Sequence, residues 1–310
     1  MGQWLNAKIK VNKFKFSIFI LVMILFFMYS DMGNDMSLIG DESDAEYNLA
    51  FSKLENDYGA KLGIYALDTE TNKEIAFHAD ERFAYCSTFK ALIVGAILKQ
   101  DSLEQLQQVV KYKQEDVLFY APITKNNVDK GMTIGDLCSA ALRFSDNTAG
   151  NLLLNHIGGP NGLKLALNQL GDNVTQPVNI EPKLNEIIPG DIRDTSTPRQ
   201  LAIDLQAYTT GNILTDDKKK ILLDWMIGNT TGNTLIRAGA PINWIVADKS
   251  GSGLYGRRND IAIVMSPNKK PIIIAILSTY DIKEAKYDDK LIAQASKFVF
   301  DFFIETENSK

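Results

Sequence analysis

Histidine and cysteine are scarce in this chain: it has two of each, His78 and His156, Cys86 and Cys138. None of the usual Cys/His zinc spacings is present, so no such site can be assembled from close pairs. A Ser-His-Asp triad would have to recruit one of only two histidines, neither in a recognisable local signature. A basic surplus is also missing. Lys and Arg number 33 against 38 Asp and Glu, a net charge of -5, which argues against a nucleic-acid partner. Beyond about residue 46 there is no Pro/Gly-rich linker, low-complexity tract or internal repeat. What remains is ordinary globular composition, 45% hydrophobic and 23% charged over 310 residues, which excludes a disordered or collagen-like chain. A hydrolase built from this inventory would activate its nucleophile and its water with lysine and carboxylate.

The N-terminus is different in kind. Lys8, Lys10, Lys13 and Lys15 precede an almost unbroken apolar run from Phe16 to Tyr29, and Asp31, Asp35, Asp41, Glu42, Asp44 and Glu46 follow it. A basic flank, a short apolar stretch and an acidic exit match an export signal. The run is shorter than the roughly 20 apolar residues of a comfortable membrane span. Residues 1–30 are therefore expected to be a signal peptide or a retained anchor, and 31–46 a polar tether. The rest would work outside the cytoplasm, secreted or tethered to the outer membrane face, touching membrane only through this segment if it is uncleaved.

From Lys61 to Leu67 the residues alternate as a strand, and Asp68 to Lys73 is a turn into a second strand, Glu74 to His78. Ser87 to Leu98 is helical and almost wholly apolar after Lys90, which predicts a buried central helix. Helical patterns follow at Thr148–Ile157, Pro198–Thr209 and Lys218–Met226. The period then changes to strands at Trp244–Ala247, Asp260–Met265 and Pro271–Leu277, the last two joined by the turn Ser266–Lys270. A closing helix is expected from Lys283 to Phe303. The fold class implied is α+β: an antiparallel sheet formed from both chain ends with flanking helices, plus an inserted all-helical subdomain. The boundaries would be 47–80 and 240–305 for the sheet part, 81–239 for the mainly helical part, and 306–310 for a polar tail. The groove between the parts is the natural place for a site.

Ser87-Thr-Phe-Lys90 puts a hydroxyl and an ammonium on one face of a helix, about one turn apart. At the helix N-terminus, free N–H groups favour developing negative charge at Ser87. Alone this pattern is weak, because Ser266-Pro-Asn-Lys269 repeats it on a turn. Ser145-Asp146-Asn147 stands before a helix, and Lys249-Ser250-Gly251 near the end of a strand. Ser145 offers a proton-relaying hydroxyl and Asn147 an amide for a substrate carbonyl. Lys249 offers fixed positive charge and Ser250 a hydroxyl for a carboxylate, while Gly251 permits close approach of a ligand to the strand.

In this order the three elements resemble those of penicillin-binding proteins and class A serine β-lactamases, over nearly the whole chain after about Gly63. Asp80-Glu-Arg-Phe-Ala-Tyr before Cys86-Ser87 resembles the class A lead-in to the nucleophile. Glu181-Pro-Lys-Leu-Asn185, followed by Asp194-Thr-Ser-Thr, resembles the class A omega loop, whose Glu and Asn hold a hydrolytic water. The resemblance implies Ser87, Lys90, Ser145 and Glu181 as catalytic. It implies Tyr120, Asn147, Asn185, Lys249, Ser250, Gly251, Ser252 and Arg258 as substrate-binding. Arg258 would meet the substrate carboxylate, Tyr120 would be the groove's aromatic gatepost, and the N–H groups of Ser87 and Ser252 would form an oxyanion hole. No metal or organic cofactor is implied. The partner would be a small β-lactam, penicillin or cephalosporin, met by a monomer. The alternatives are a D-Ala-D-Ala peptidase of the same superfamily, or a membrane-anchored β-lactam receptor that is acylated without turnover.

Two departures from the family pattern carry expectations. Class A enzymes usually place Arg two residues before the loop Glu, paired with the loop Asp; here Asn179 stands there. A looser loop is expected, with slower deacylation or more tolerance of bulky side chains. The positions that would partner the two cysteines are Val94 and Gly253, so two free, mostly buried thiols are expected.

Overall fold

The structure is a computed structural model that describes residues 45–308 apart from Asn268. The expected signal or anchor, 1–30, and the tether up to residue 44 lie outside the described residues. Residues 45–58 form helix α1. No described helix is long and apolar enough to cross a membrane.

Within the unit that begins at Ala50, one five-stranded sheet has the order β2-β1-β9-β8-β7. Its strands are β1 (Lys61–Asp68), β2 (Glu74–Phe77), β7 (Ile245–Gly253), β8 (Arg257–Met265) and β9 (Ile272–Thr279). All pairings are antiparallel, with Lys61 opposite Thr279 and Lys249 opposite Ile261. The two ends of the chain thus build one sheet, as the alternation of apolar residues requires. β9, Ile-Ile-Ile-Ala-Ile-Leu-Ser-Thr, is buried at every position but the last. A strand hidden on both faces needs cover on both, and this continuous apolar run supplies surface for it. Helices α6 (Pro198–Thr209) and α9 (Asp289–Asn308) pack against it.

The inserted part begins with a short strand, β3 (Phe83–Ala84), and a tight 3-10 turn, Cys86–Thr88. It continues through α2 (Phe89–Gln100), β4 (Val109–Val110), β5 (Met132–Thr133), α3 (Ile134–Arg143), α4 (Asn147–His156) and α5 (Gly159–Asn168). β6 (Thr195–Ser196), α6, α7 (Asp216–Ile227) and the short α8 (Ile236–Gly239) complete it. α2 is buried from Phe89 to Leu98, Lys90 included. An apolar surface all round the helix leaves it no stable place but the centre. Gly95 permits the closest contact there, since a Cβ would stand 2.4 Å from the Tyr208 ring on α6.

Several elements differ from expectation. The last helix starts at Asp289, not Lys283, because the Lys283 carbonyl accepts from Tyr255 N at 2.8 Å and 280–288 form a turn-rich segment. That helix continues to Asn308, past the expected end at Phe303. Ser87 lies in the 3-10 turn that leads into α2 instead of in the α-helix itself. Lys249 is mid-strand, not near a strand end, because β7 runs on to Gly253. Trp244 and His78 fall just outside the strands assigned to them, His78 with φ of +46°. Helices α3 and α5 were not expected at all.

Candidate active site

Three segments converge on one cavity of about 450 Å3 between the sheet and the helical part. Each turns through a left-handed residue that is not glycine: Cys86 at φ +49°, Ser145 at +55° and Asp194 at +53°. Such conformations cost on the order of 1–3 kcal/mol each and persist where the surroundings over-determine them. Those surroundings are visible here. Asn259 of β8 donates its amide to the Ala84 carbonyl at 2.8 Å and the Tyr85 carbonyl at 3.2 Å, fixing the approach to Ser87. Asp146, fully buried, caps α4 at Ala149 N and accepts from the backbone of Ile123 and Thr124. Asn147 N in turn donates to the Tyr120 carbonyl at 3.0 Å.

Lys90, with no solvent exposure, donates to Ser87 Oγ at 2.9 Å, to the Ser145 carbonyl at 3.0 Å and to Asn147 Oδ1 at 2.7 Å. Its fourth neighbour is Glu181 Oε1, 3.0 Å away. Ser87 Oγ donates to the same Glu181 Oε1 at 3.1 Å. Asn185 Nδ2 holds the other oxygen, Glu181 Oε2, at 2.6 Å. Asn151 of α4 clasps the Glu181 backbone in both directions, at 2.9 and 3.0 Å. A buried lysine, a hydroxyl and a buried carboxylate are thus mutually in reach, the geometry for moving a proton off the serine.

On the opposite side Lys249, also buried, donates to Ser145 Oγ at 3.1 Å and to the Ser250 carbonyl at 2.7 Å. Burial and the nearby Lys90 ammonium lower its pKa to about 7. Behind it lie Asp248 and Asp260, whose carboxyls burial pushes upward. Gly251 presents bare backbone to the nucleophile, since a Cβ there would stand 3.0 Å from Ser87 N. Ser250 Oγ is 2.6 Å from Thr231 Oγ1. Arg258 Nε donates to Asp289 Oδ1 at 2.7 Å, and its guanidinium lies 4.8 Å from the Tyr287 ring centre.

The cavity wall gathers Ser87, Tyr120, Ser145, Asn147, Asn185, Ser250, Gly251, Ser252 and Arg258, with Lys90, Glu181 and Lys249 buried against it. All twelve residues singled out in the sequence therefore meet at one place. Tyr120 is 46% exposed, a wall residue instead of a core tyrosine. The second Ser-x-x-Lys match, Ser266 and Lys269, lies on the connection between β8 and β9 and not within a helix. Sequence reasoning misses Thr231 and Tyr287, which also line the cavity, and Asn151. Asn151 alone leaves a signal, as it stands four residues after Asn147 on one helix.

The loop that carries Glu181 is closed by Asp194. That carboxylate is fully buried and accepts from Val178 N, Asn179 N and Tyr85 OH, each at 2.9 Å, and from Asn179 Nδ2 at 2.5 Å. Asn179 thus keeps a neutral hydrogen bond where the family pattern has a charged pair. Both cysteines are free and buried, and burial holds the Cys86 thiol up at about 12 and the Cys138 thiol higher still.

Residues 48–303 match the model of the β-lactamase enzyme family. Beta-lactamase 3 of Bacillus cereus is 53% identical over 254 residues, covering 82% of this chain and 80% of that protein. A β-lactamase of Bacillus subtilis (strain 168) is 54% identical over 252 residues, covering 81% of this chain and 82% of that one. Among solved structures, the class A β-lactamase from Clostridium kluyveri DSM 555 is 81% identical with a TM-score of 0.83, covering 84% of this chain and 99% of that one. A halotolerant bacterial β-lactamase is 48% identical with a TM-score of 0.80, covering 81% of this chain and 97% of that one.

Proposed function

This chain belongs to the β-lactamase enzyme family and is a class A serine β-lactamase, and on that premise we propose how its residues divide the work and which lactams it opens. The observation that carries the reading is the placement of Glu181 Oε1 3.1 Å from Ser87 Oγ. Glu181 takes the Ser87 proton as Oγ attacks the lactam carbonyl, while Lys90, already donating to Oγ, stabilises the charge that develops. Backbone N–H groups of Ser87 and Ser252 receive the carbonyl oxygen. The C–N bond breaks, and the leaving nitrogen takes its proton from Ser145 Oγ, which is replenished from the Lys90 ammonium; the neutral Lys90 amine then takes the proton held on Glu181, 3.0 Å away, so that Glu181 is a carboxylate again. The result is an ester on Ser87.

Hydrolysis of that ester needs a base on the side away from the leaving nitrogen. Glu181, steered by Asn185, takes a proton from water; the hydroxide adds to the ester, and Ser87 leaves with a proton returned to it. The substrate carboxylate pairs with Arg258, Lys249 and Ser250, and the acyl amide with Asn147. Penicillins and cephalosporins both carry this carboxylate beside the lactam. The N-terminal lysines and apolar run support export, and we take the enzyme to act outside the cytoplasm as a monomer; cell fractionation and sedimentation test both points.

The test of the mechanism mixes purified protein with benzylpenicillin and with cephalothin, following ring opening and intact mass together. Many turnovers per enzyme are expected, with Glu181→Gln acylated more slowly and then retaining the adduct. A permanently modified wild-type protein would mark a peptidase or receptor instead and overturn the reading.

A further inference from the structure

Two buried carboxyl groups outside the catalytic set meet at the root of the Glu181 loop. Asp172, at the entry to the loop, and Asp204, on α6, are both fully buried, and after burial itself the Asp172 carboxyl is the neighbour that pushes the Asp204 carboxyl upward. Asp172 Oδ1 accepts from Val174 N at 2.7 Å and Thr175 N at 2.9 Å. Asp204 Oδ1 accepts from Gln200 Nε2 at 2.9 Å. The remaining oxygen of each, Oδ2, has no donor. Two neighbouring carboxylates without a donor between them cannot both be ionised in a buried site.

We propose that Asp172 and Asp204 share one proton, carried on Asp204 and donated to Asp172, and that this bond positions the Glu181 loop for hydrolysis of the acyl-enzyme. The location of the proton follows from the partners. Asp172 already accepts two backbone N–H bonds, whereas Asp204 accepts only one side-chain amide bond. Burial and the Asp172 charge accordingly raise the Asp204 carboxyl well above the usual range.

The connection to the loop is short. Thr175 Oγ1 lies 2.7 Å from Ser196 Oγ, Gln176 N donates to the Thr195 carbonyl at 3.0 Å, and Asp194 N donates to the Gln176 carbonyl at 2.7 Å. These bonds zip the entering limb to the leaving limb. The leaving limb continues covalently into α6, so the shared proton is what fastens the entering limb to that same helix. The proposal rests on the mechanism above in giving the loop's Glu181 the water of the second step.

Few other charges bear on the pair. α6 packs on α2, α7, β1, β8 and β9. On α2, Lys90 is engaged with Ser87 and Glu181 and Lys99 with Gln169; on β8, Arg258 is engaged with Asp289. Beside Asp172, Lys164 of α5 is bound to the Thr175 carbonyl. Tyr208, one turn after Asp204, has a buried hydroxyl without a hydrogen-bond partner, and burial raises its pKa. Raising pH therefore strips the shared proton, while Lys164 and Arg82, the cations on the flanking backbone, are engaged with the Thr175 and Val174 carbonyls. The sign follows: a raised carboxyl pKa gives stability that is complete in acid and is lost as pH climbs through the folded value.

The test uses Asp204→Asn, whose amide can donate to Asp172 and still accept from Gln200 at every pH. Release of the benzylpenicilloyl adduct is followed by quenched-flow mass spectrometry between about pH 5 and 10. Wild-type deacylation is expected to fall toward alkaline pH. In Asp204→Asn that fall should move upward by at least about one pH unit, with acylation unchanged. Infrared difference spectra, wild type minus Asp204→Asn at neutral pH, should show the C=O band of a protonated carboxyl that disappears in alkali. Absence of that band, or superimposable deacylation profiles, overturns the proposal. If Glu181→Gln deacylates like wild type, the mechanism falls instead, while the infrared band still decides the shared proton.

Discussion

Lys90 Nζ and Glu181 Oε1 are 3.0 Å apart, and neither side chain is exposed to solvent. Each ion is the other's compensation for lost hydration, with Ser87 wedged against both. Removing one partner of a buried pair leaves an uncompensated charge, at a cost of about 3–5 kcal/mol. Lys90→Met should therefore unfold at clearly lower urea than wild type, as well as losing acylation. Equal denaturation midpoints would show that the pair contributes nothing to the fold.

The depressed pKa of Lys249, about 7, makes its charge dependent on pH in the working range. Below that value the ammonium is intact and available to a substrate carboxylate; above it the charge is lost. KM for benzylpenicillin is expected to rise as pH passes upward through about 7, since a binding charge is being lost. A KM flat from acid to alkali would mean that bound substrate keeps the lysine protonated throughout.

Tyr287 covers the Arg258 guanidinium at 4.8 Å, and Asp289 holds it from the side. Stacking of this kind is worth about 0.5–1 kcal/mol at an exposed site. Tyr287→Ala should raise KM about two- to fivefold with little change in kcat, and Tyr287→Phe should restore it. A matching fall in kcat measured by steady-state kinetics would point to a wider disturbance.

Gly150 on α4 faces the lysine stem directly: a Cβ there would stand 2.8 Å from Lys90 Cε. Because Lys90 is fixed at four atoms, the stem cannot move without breaking its contacts with Ser87 and Asn147. Gly150→Ala is expected to fold, by circular dichroism, and to lose about tenfold or more in kcat/KM. Wild-type kinetics in that variant would show that the stem has room to yield.

How much of this was legible in the sequence varies with the kind of interaction. Pro198–Thr209 could be bounded from its pattern because a threonine cap and a proline at the first turn mark its start. The gathering of the twelve candidate residues at one cavity was legible as well, since they were read as parts of a single motif set. α5 was hidden because Gly158-Gly159-Pro160 looks like a break, yet the proline occupies the first turn of a new helix. The stretch after Lys283 has helical composition, but its carbonyl is captured by Tyr255 from a distant loop, a tertiary bond that local propensity does not reveal. Tyr287 enters the cavity from that same segment, so its role went unseen for the same reason.

Asp194 bonds to Tyr85, two residues before the nucleophile, with the same oxygen that holds the backbone of Val178 and Asn179. Ser87 and Glu181, nucleophile and hydrolytic base in the proposed mechanism, therefore hang from a single atom. A lactam with a side chain large enough to lever the loop aside must also disturb the strand leading to the serine. Broadening the range of antibiotics accepted, by this route, trades directly against the speed with which the enzyme frees itself.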